Sequence, residues 1–485
     1  MHSGYEAIIG LEVHAQLTTA SKAFCSCSTE YGAQPNVNVC PICLGHPGTL
    51  PVLNENLVAY AVKMGLATNC SIRERSTFSR KNYYYPDLPK GYQITQYADP
   101  ICYHGSIEIE LEDGVKKIGI TRIHMEEDSG KSIHDLDIDT LVDLNRAGVP
   151  LIEIVSEPDI RTPQEAYLYL QQIRQILVYL GICDGNLEEG SMRCDANVSV
   201  RKVGQQAFGT KREVKNLNSF RNVEKAIEYE INAQIALLEG GRSVTQQTLM
   251  WDAGNGQTKV MRSKEQAHDY RYFPEPDLGP VVVTTERLES LRADLPELAM
   301  AKKRRFISHY GLPAYDAGVL VDEASVASYY ETSCAALKAP SQETWKLISN
   351  WTMTELLRIR GEKKCNIDEI GIHPGQLASL IDVIADGTIS SKTAKEIFPD
   401  MLGSNKLASE FIEERGLRQV SDVSVIKAMV DDVVRANPEN LQKYRAGKTN
   451  LLGFFVGQVL KASGGAANPS VVTELMKGAL DAAEV

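Results

Sequence analysis

From Tyr5 to roughly residue 290 this sequence alternates apolar and polar residues in short runs, and after Leu295-Pro296 that alternation stops. A period of two belongs to half-buried strands and a period near 3.6 to helices, so the switch constrains the fold more than any single motif. Ile107-Glu108-Ile109-Glu110-Leu111-Glu112 alternates strictly, as a strand near a sheet edge would. Met192, Cys194, Ala196, Val198 and Val200 alternate with Arg193, Asp195, Asn197, Ser199 and Arg201. That polar face is either solvent-facing or the wall of a site. Helices are expected between these strands. One opens at Thr162-Pro163, with Glu165 completing a capping box, and stops at Gly181. A second starts near Asn218 or Ser219 and carries Val223, Ile227, Ile231, Ile235 and Leu238 before Gly240-Gly241. The first part is therefore read as α+β with a mixed or antiparallel sheet.

Beyond residue 295 capped helical segments follow one another, with Trp345, Ile348, Trp351, Leu356 and Leu357 on one and Leu377, Leu380, Ile381 and Ile384 on the next. Further helices are expected after Ser404, Ser421, Asn450 and Asn468, the last of them forming a small helical domain with a boundary near residue 405. A chain of 485 residues exceeds one compact core. The expected organisation is an α+β domain over 1–295, an all-α domain over 296–405 and an all-α tail over 406–485. No run of 18 apolar residues and no basic, apolar leader is present, so a cytoplasmic protein is expected.

Four of the ten cysteines fall within nineteen residues, as Cys25-Ser26-Cys27 and Cys40-Pro41-Ile42-Cys43. Two close pairs at this separation supply the four thiolates of a tetrahedral zinc site, and with no open coordination position such a site is structural. A buried or redox cysteine group is the alternative.

The run Gly10-Leu11-Glu12-Val13-His14-Ala15-Gln16-Leu17 puts Glu12, His14 and Gln16 on one strand face. A carboxylate and an imidazole so placed can share an ion or substrate group, although an edge strand's charged outer face has the same pattern. Two other stretches bear on the choice. His124-Met125-Glu126-Glu127-Asp128 follows an apparent strand from Ile118 to Ile123, where an acidic solvated turn is the alternative. Glu153 stands alone in the apolar run Leu151-Ile152-Glu153-Ile154-Val155, and a buried carboxylate needs a cation, a metal or a proton. Glu, Asp and a single His favour a hard ion such as Mg²⁺ over zinc.

Arg80 to Gln93 interleaves cations with Tyr83, Tyr84, Tyr85 and Tyr92 and is too proline-rich for a regular element, so an ordered loop is expected. Its composition suits phosphates and stacked bases, or ordinary packing. A second basic stretch, Lys211 to Lys225, contains Arg212, Lys215 and Arg221 and points neither way. The net charge of −12 excludes a general nucleic-acid coating protein but not a local basic patch. Gly447-Lys448-Thr449 lacks the glycine five residues earlier that a phosphate-binding loop requires, because Gln442 stands there.

Several of these runs, taken together, resemble a known family. They are Ile9 to His14, Arg80-Lys81-Asn82-Tyr83-Tyr84-Tyr85-Pro86-Asp87, His124 to Asp128, Leu144-Asn145-Arg146-Ala147-Gly148 and Glu153 to Asp159. Glu189 to Asn197, Lys215 to Ser219, Asp269-Tyr270-Arg271-Tyr272-Phe273-Pro274-Glu275-Pro276-Asp277 and, in the tail, Gly457-Gln458-Val459 and Asn468-Pro469 complete the set. In order and over nearly the whole chain they resemble the B/E family of tRNA-dependent amidotransferases, which holds the B subunits of aspartyl/glutamyl-tRNA amidotransferase. The resemblance implies a "cradle" catalytic domain, a helical domain and a small tail that contacts tRNA. It implies a heterotrimer with two partners: an amidase, the A component, which releases ammonia, and a small C component that straps the other two together. It implies ATP- and Mg²⁺-dependent phosphorylation of the side-chain carboxylate of Glu-tRNA(Gln) or Asp-tRNA(Asn), followed by amidation with channelled ammonia. Carried over to this sequence, the Mg²⁺ and catalytic residues are Glu12, His14, Glu127 and Glu153, with Glu126 and Asp128 as neighbours. Candidates for ATP and the aminoacyl end are Lys81, Tyr83, Tyr85, Arg193, Asp195 and Asn197. The zinc occurs in some members only, and here all four ligands, Cys25, Cys27, Cys40 and Cys43, are present.

Overall fold

A computed structural model of the chain describes residues 4–134, 136–263, 270–418, 423–463 and 467–482. Asp269, Ser421 and Gly464-Gly465, used above, lie outside the described residues. The chain divides into two compact units, Met1–Ala299 and Met300–Val485.

The first unit is built on a twelve-stranded mixed sheet. Its centre is the strand Tyr5–Gln16, which pairs antiparallel with Pro150–Ser156 on one side and Met192–Lys202 on the other. It is not an edge strand, so its polar face is not explained by an exposed rim. Beyond Met192–Lys202 the sheet continues through Arg212–Lys215, Gln247–Asp252 and Gln257–Ser263, the first two of these being parallel to each other. Beyond Pro150–Ser156 lies Gly114–Glu127, whose two halves pair with different strands, Cys102–Leu111 and Tyr92–Thr95.

Two local expectations change. The strand expected over 118–123 runs on through Glu127 because Glu126 and Glu127 pair with Leu151 and Pro150. Glu126, Glu127 and Asp128 are 2%, 3% and 4% exposed, which overturns the solvated turn. The segment expected to be a loop over 80–93 is one over 83–91, while its two ends pair as strands, Ser79–Asn82 against Tyr92–Thr95. Pro86 and Pro89, which cannot donate to a ladder, are confined to the connector 83–91.

The apolar face of the sheet buries Leu11, Val13, Ala15, Ile123, Met125, Ile152, Ile154, Cys194, Ala196 and Val198. Three helices cover it: Glu55–Ala67, Pro163–Tyr179 and Phe220–Glu239. They contribute Leu57, Met64, Tyr169, Leu170, Ile173, Leu177, Val223 and Ile227, each large side chain gaining about 1.5–3 kcal/mol on burial. Thr162 caps its helix as expected, its hydroxyl oxygen accepting the Glu165 N–H. The expected capping box is only half present. The Glu165 carboxylate accepts the Arg161 N–H and the Lys116 ammonium, at 2.7 Å each, because that stronger charged partner lies beside it.

The named elements of the second unit, among its described residues, are all helices. Gln342–Trp351 continues through the π-helical turn Thr352–Leu356 into Leu357–Lys363. Ala408–Arg415 is tied to Pro374–Ala385: Gln376 Nε2 donates to the Ser404 and Lys406 carbonyls, and Ser379 Oγ accepts the Ala408 N–H. The last helices enclose a core of their own, with Ile426, Val430, Phe455, Val459, Val472, Met476 and Leu480. The architecture is thus a mixed-sheet α+β unit followed by an all-α region. Among the described residues no helix is long and apolar enough to cross a membrane.

Gly65 lies inside Glu55–Ala67, where a Cβ would collide with Cys102 Sγ and come within 2.7 Å of Ile72 Cδ1. Alanine gains about 1 kcal/mol of helix propensity, whereas overpacking costs about 1–3 kcal/mol. Gly65→Ala is expected to lower the calorimetric melting temperature of the sheet unit. An unchanged or raised melting temperature would show that the helix slides clear of Cys102.

Candidate functional site

Alternation along neighbouring strands makes the second face of the sheet a polar floor. The register sets Arg193 opposite His14, His14 opposite Glu153, and Glu153 opposite His124. A parallel row runs Asp195, Glu12, Val155, Arg122. Adjacent strands lie about 4.8 Å apart, so side chains in a row touch. His14 Nε2 is 3.3 Å from Glu153 Oε2 and 3.6 Å from Glu126 Oε1, and His124 Nε2 is 3.4 Å from the same Glu153 oxygen. One buried carboxylate thus stands between two imidazoles.

Burial disfavours a charged His14, but the hydrogen bond and charge of Glu153 outweigh it and raise the imidazole to about 9. Burial and the nearby Arg122 and His14 charges depress His124 to about 4 against the pull of Glu153, and its Nδ1 is buried without a partner. Burial would raise Glu153, yet His124, His14 and Lys81 hold it below the usual carboxylate range. Glu126 is pushed up to about 7 by burial and by the Glu153 charge.

Beside this triad, one oxygen each from Glu12, Asp195 and Glu213 lie within 4.8 Å of one another. Asn197 Nδ2 donates to Glu12 Oε1 at 2.8 Å, and Lys215 bridges Asp195 and Glu213. Burial raises Glu12, and the charges of Glu153, Glu213 and Asp195 add to it. Oxygen-rich sets of this kind, with one imidazole, fit a hard divalent ion. Both groups face a cavity of about 780 Å³, within the usual size of a nucleotide or small-molecule site. Lys81 reaches over it, 5.0 Å from the Tyr270 ring centre. Tyr97 and Tyr272 stack at 4.1 Å on its wall, and Arg122 Nε is buried there without a partner.

The structure therefore brings together Glu12, His14, Glu153, Lys81, Tyr83, Arg193 and Asp195 around one cavity, with Asn197 acting through Glu12. Two expected residues stand apart. Tyr85 is 56% exposed and does not line the cavity. Glu127 points to the opposite face, where its carboxylate accepts from Lys90 and from the Ile94 N–H at 2.9 Å. Successive strand residues face opposite sides, so Glu126 and Glu127 cannot both join His14, and Glu126 is the one that does. Arg122, His124, Glu213, Tyr97, Tyr270 and Tyr272 were not singled out for this site from the sequence. The spacing Arg122, His124, Glu126, Asp128 was the available signal for the first two.

The cysteines converge on the other face: one sulfur from each of Cys25, Cys27, Cys40 and Cys43 lies within 4.8 Å of the rest, and Cys40 and Cys43 are 3.9 Å apart. Tetrahedral zinc with Zn–S near 2.3 Å sets sulfurs about 3.8 Å apart, so the cage fits a structural metal. A hydrogen bond from Cys25, helped by the Cys40 N–H and the Lys22 ammonium 3.6 Å away, lowers the Cys43 thiol to about 4 despite burial. Thiolate is the form that ligates metal.

Comparison with known proteins agrees along the chain. The model of the GatB/GatE catalytic domain matches residues 7–289, and that of the GatB domain matches residues 333–480. The B subunit of aspartyl/glutamyl-tRNA(Asn/Gln) amidotransferase from Thermodesulfovibrio yellowstonii is 55% identical, over 97% of this chain and 98% of its own length. Proteins of the same description from Chlorobium limicola and Syntrophotalea carbinolica are each 54% identical, over 98% of this chain and 99% of their own.

The sulfur geometry leads to a direct test. Purified chain is expected to carry stoichiometric zinc by elemental analysis and to lose it in Cys43→Ser. Free titration of all four thiols in the folded wild type would contradict a closed metal cage.

Proposed function

This chain belongs to the GatB/GatE family, and from that premise we propose that it is the component of a tRNA-dependent amidotransferase that activates and amidates the misacylated tRNA. The substrates are Glu-tRNA(Gln), Asp-tRNA(Asn) or both, with ATP as phosphoryl donor. The amino-acid carboxylate attacks the γ-phosphorus, ADP leaves, and ammonia displaces phosphate from the acyl phosphate to give the amide. A carboxylate is a poor acyl donor, and phosphorylation supplies its leaving group. The partners in the heterotrimer are an amidase (the A component) that delivers ammonia and a small strapping protein (the C component).

The observation that carries this reading is the polar floor of Glu12, His14, Glu126, Glu153, Asp195 and Glu213, with Lys81 reaching over the same cavity. Phosphoryl transfer depends on positioning and charge neutralisation rather than covalent help. Mg²⁺ held by His14, Glu126 and Glu153, or by the Glu12 group, would supply that neutralisation. Lys81 holds positive charge where phosphates would lie, Arg193, paired with Asp128, borders the same cavity, and Tyr83, Tyr270 and Tyr272 exclude water beside Lys81. Asn197 fixes the rotamer of Glu12. Zinc held by Cys25, Cys27, Cys40 and Cys43 would be structural, since four thiolates leave no open coordination position, and those residues lie on the far face from this chemistry. We further propose three functional parts, 1–295 for catalysis, 296–405 as a helical domain and 406–485 as the tail that contacts tRNA. For an acidic chain, tRNA contact confined to local basic surfaces would be strongly salt-dependent.

The test is amide formation on Glu-tRNA(Gln) and on Asp-tRNA(Asn) by the chain assembled with its two partners, with ATP and Mg²⁺. Glu153→Gln is expected to lower the rate by roughly a hundredfold or more, the scale of losing one charge-stabilising group, with tRNA binding retained. Equal rates in wild type and variant would remove this cluster from the chemistry.

A further inference from the structure

Glu127 is a buried carboxylate that the proposed chemistry leaves without a task, and its surroundings give it one. It lies on the strand Gly114–Glu127, one residue from Glu126, but on the face of the cysteine loop. Its carboxylate accepts from the Lys90 ammonium and from the Ile94 N–H, and its carbonyl accepts from Gln93 Nε2 at 2.6 Å. All three donors belong to the hairpin 79–95 or its connector. Gln93 stands opposite Lys81 in that hairpin, and the Tyr83 N–H donates to the Gly91 carbonyl at 3.2 Å. Holding Lys90, Gln93 and Ile94 therefore also holds Lys81 and Tyr83, which the hairpin extends over the cavity.

The other end of the connection is the cysteine loop. Gly45, two residues past Cys43, has φ +69°, and a Cβ there would sit 2.7 Å from Lys90 Cγ and 2.9 Å from Lys90 Cα. The loop thus presses backbone against the Lys90 stem where no side chain fits. Phe24, next to Cys25, lies 5.8 Å from the Lys90 ammonium. A cavity of about 80 Å³, lined by Cys25, Cys43, Gly45, Lys90 and Glu127, separates the sulfurs from the ion pair. Order passes from cage to hairpin through Gly45 and Phe24, not through sulfur contact.

We infer that Glu127 and Lys90 are positioning residues, a strut by which the closed cysteine loop fixes Lys81 and Tyr83 over the cavity. The kinetic side of this inference rests on the proposed reaction, while its structural side does not. Two measurements separate them. In the full chain, hydrogen exchange over 81–83 and 91–94 is expected to quicken in Lys90→Met and in Cys40→Ser. Unchanged exchange in Phe220–Glu239 is the control that the sheet unit remains folded. In the complex assembled with its partners, Lys90→Met and Glu127→Gln are expected to raise the KM for ATP by roughly ten- to a hundredfold, the worth of one charged hydrogen bond. The double variant should be no worse than either single one, because both remove the same link. Half-saturation by Mg²⁺ should stay at the wild-type value in Glu127→Gln and rise in Glu126→Gln.

A shift in Mg²⁺ requirement in Glu127→Gln equal to that in Glu126→Gln would make Glu127 a metal-site residue and overturn the strut. So would hairpin exchange in Cys40→Ser and Lys90→Met identical to wild type. If the wild-type complex forms no amide, the proposed reaction falls, and the exchange experiment still decides whether the strut exists.

Discussion

A carboxylate buried in the middle of a sheet must be compensated, and Glu153 is compensated by two imidazoles supplied by the strands on either side. Much of the first unit follows from that requirement. His14 and His124 can reach Glu153 only if three strands keep one register, because each is the residue directly opposite it. The next positions along those strands then fall into place: Glu12 opposite Asp195, Arg193 opposite His14, Arg122 two strands from Glu12. Asp128, held low by Arg193 and Arg146 against its burial, anchors the end of the row. The apolar side of the same strands needs no such matching, since burial is nondirectional. Packing alone would permit several arrangements of the sheet; the polar face selects one.

Much of this was legible in the sequence because strand parity is a local property. The alternation of Glu12, His14 and Gln16, and that of Arg193, Asp195 and Asn197, identifies both polar faces correctly. The isolated Glu153 signals that something must neutralise it. Parity also shows where the reading failed. Placing His124 to Asp128 beyond a strand that ends at Ile123, when the strand runs on to Glu127, removed the constraint that separates Glu126 from Glu127. The hairpin at 79–95 was hidden by its prolines, which all lie in the connector. Glu213, Tyr97 and Tyr272 come from segments whose local patterns carry no mark of the site. It is the order of strands in the sheet that brings Glu213 beside Asp195.

Charge distribution adds a second layer. The chain is acidic as a whole, and the cavity concentrates both signs. Lys215 is engaged by Asp195 and Glu213, and Arg193 by Asp128, so these cations are already neutralised within the floor. Lys81 instead lies against the rings of Tyr83 and Tyr270, and Arg122 Nε is buried without a partner. Cations held against aromatic faces in a partly closed cavity keep more of their field than surface lysines do. An incoming polyanion would therefore meet fixed positive charge set among the carboxylates suited to a divalent ion.

The strand Gly114–Glu127 decides how these parts fit. Ile118 and Ile120 belong to the core, and so do Ile123 and Met125, which means that parity shifts by one between Ile120 and Ile123. The register against Pro150–Ser156 breaks at the same place, where Val155 faces Arg122 but Ser156 faces Ile120. An extra residue in one strand is a β-bulge, and its effect is to turn every later side chain over. Without it, Met125 and Glu127 would face the cavity while His124 and Glu126 entered the core. With it, one strand delivers Glu126 to the carboxylate cluster and Glu127 to the Lys90 strut behind it. The cysteine loop and the polar floor therefore lie on opposite faces of a single strand, and one inserted residue assigns each acid to its side.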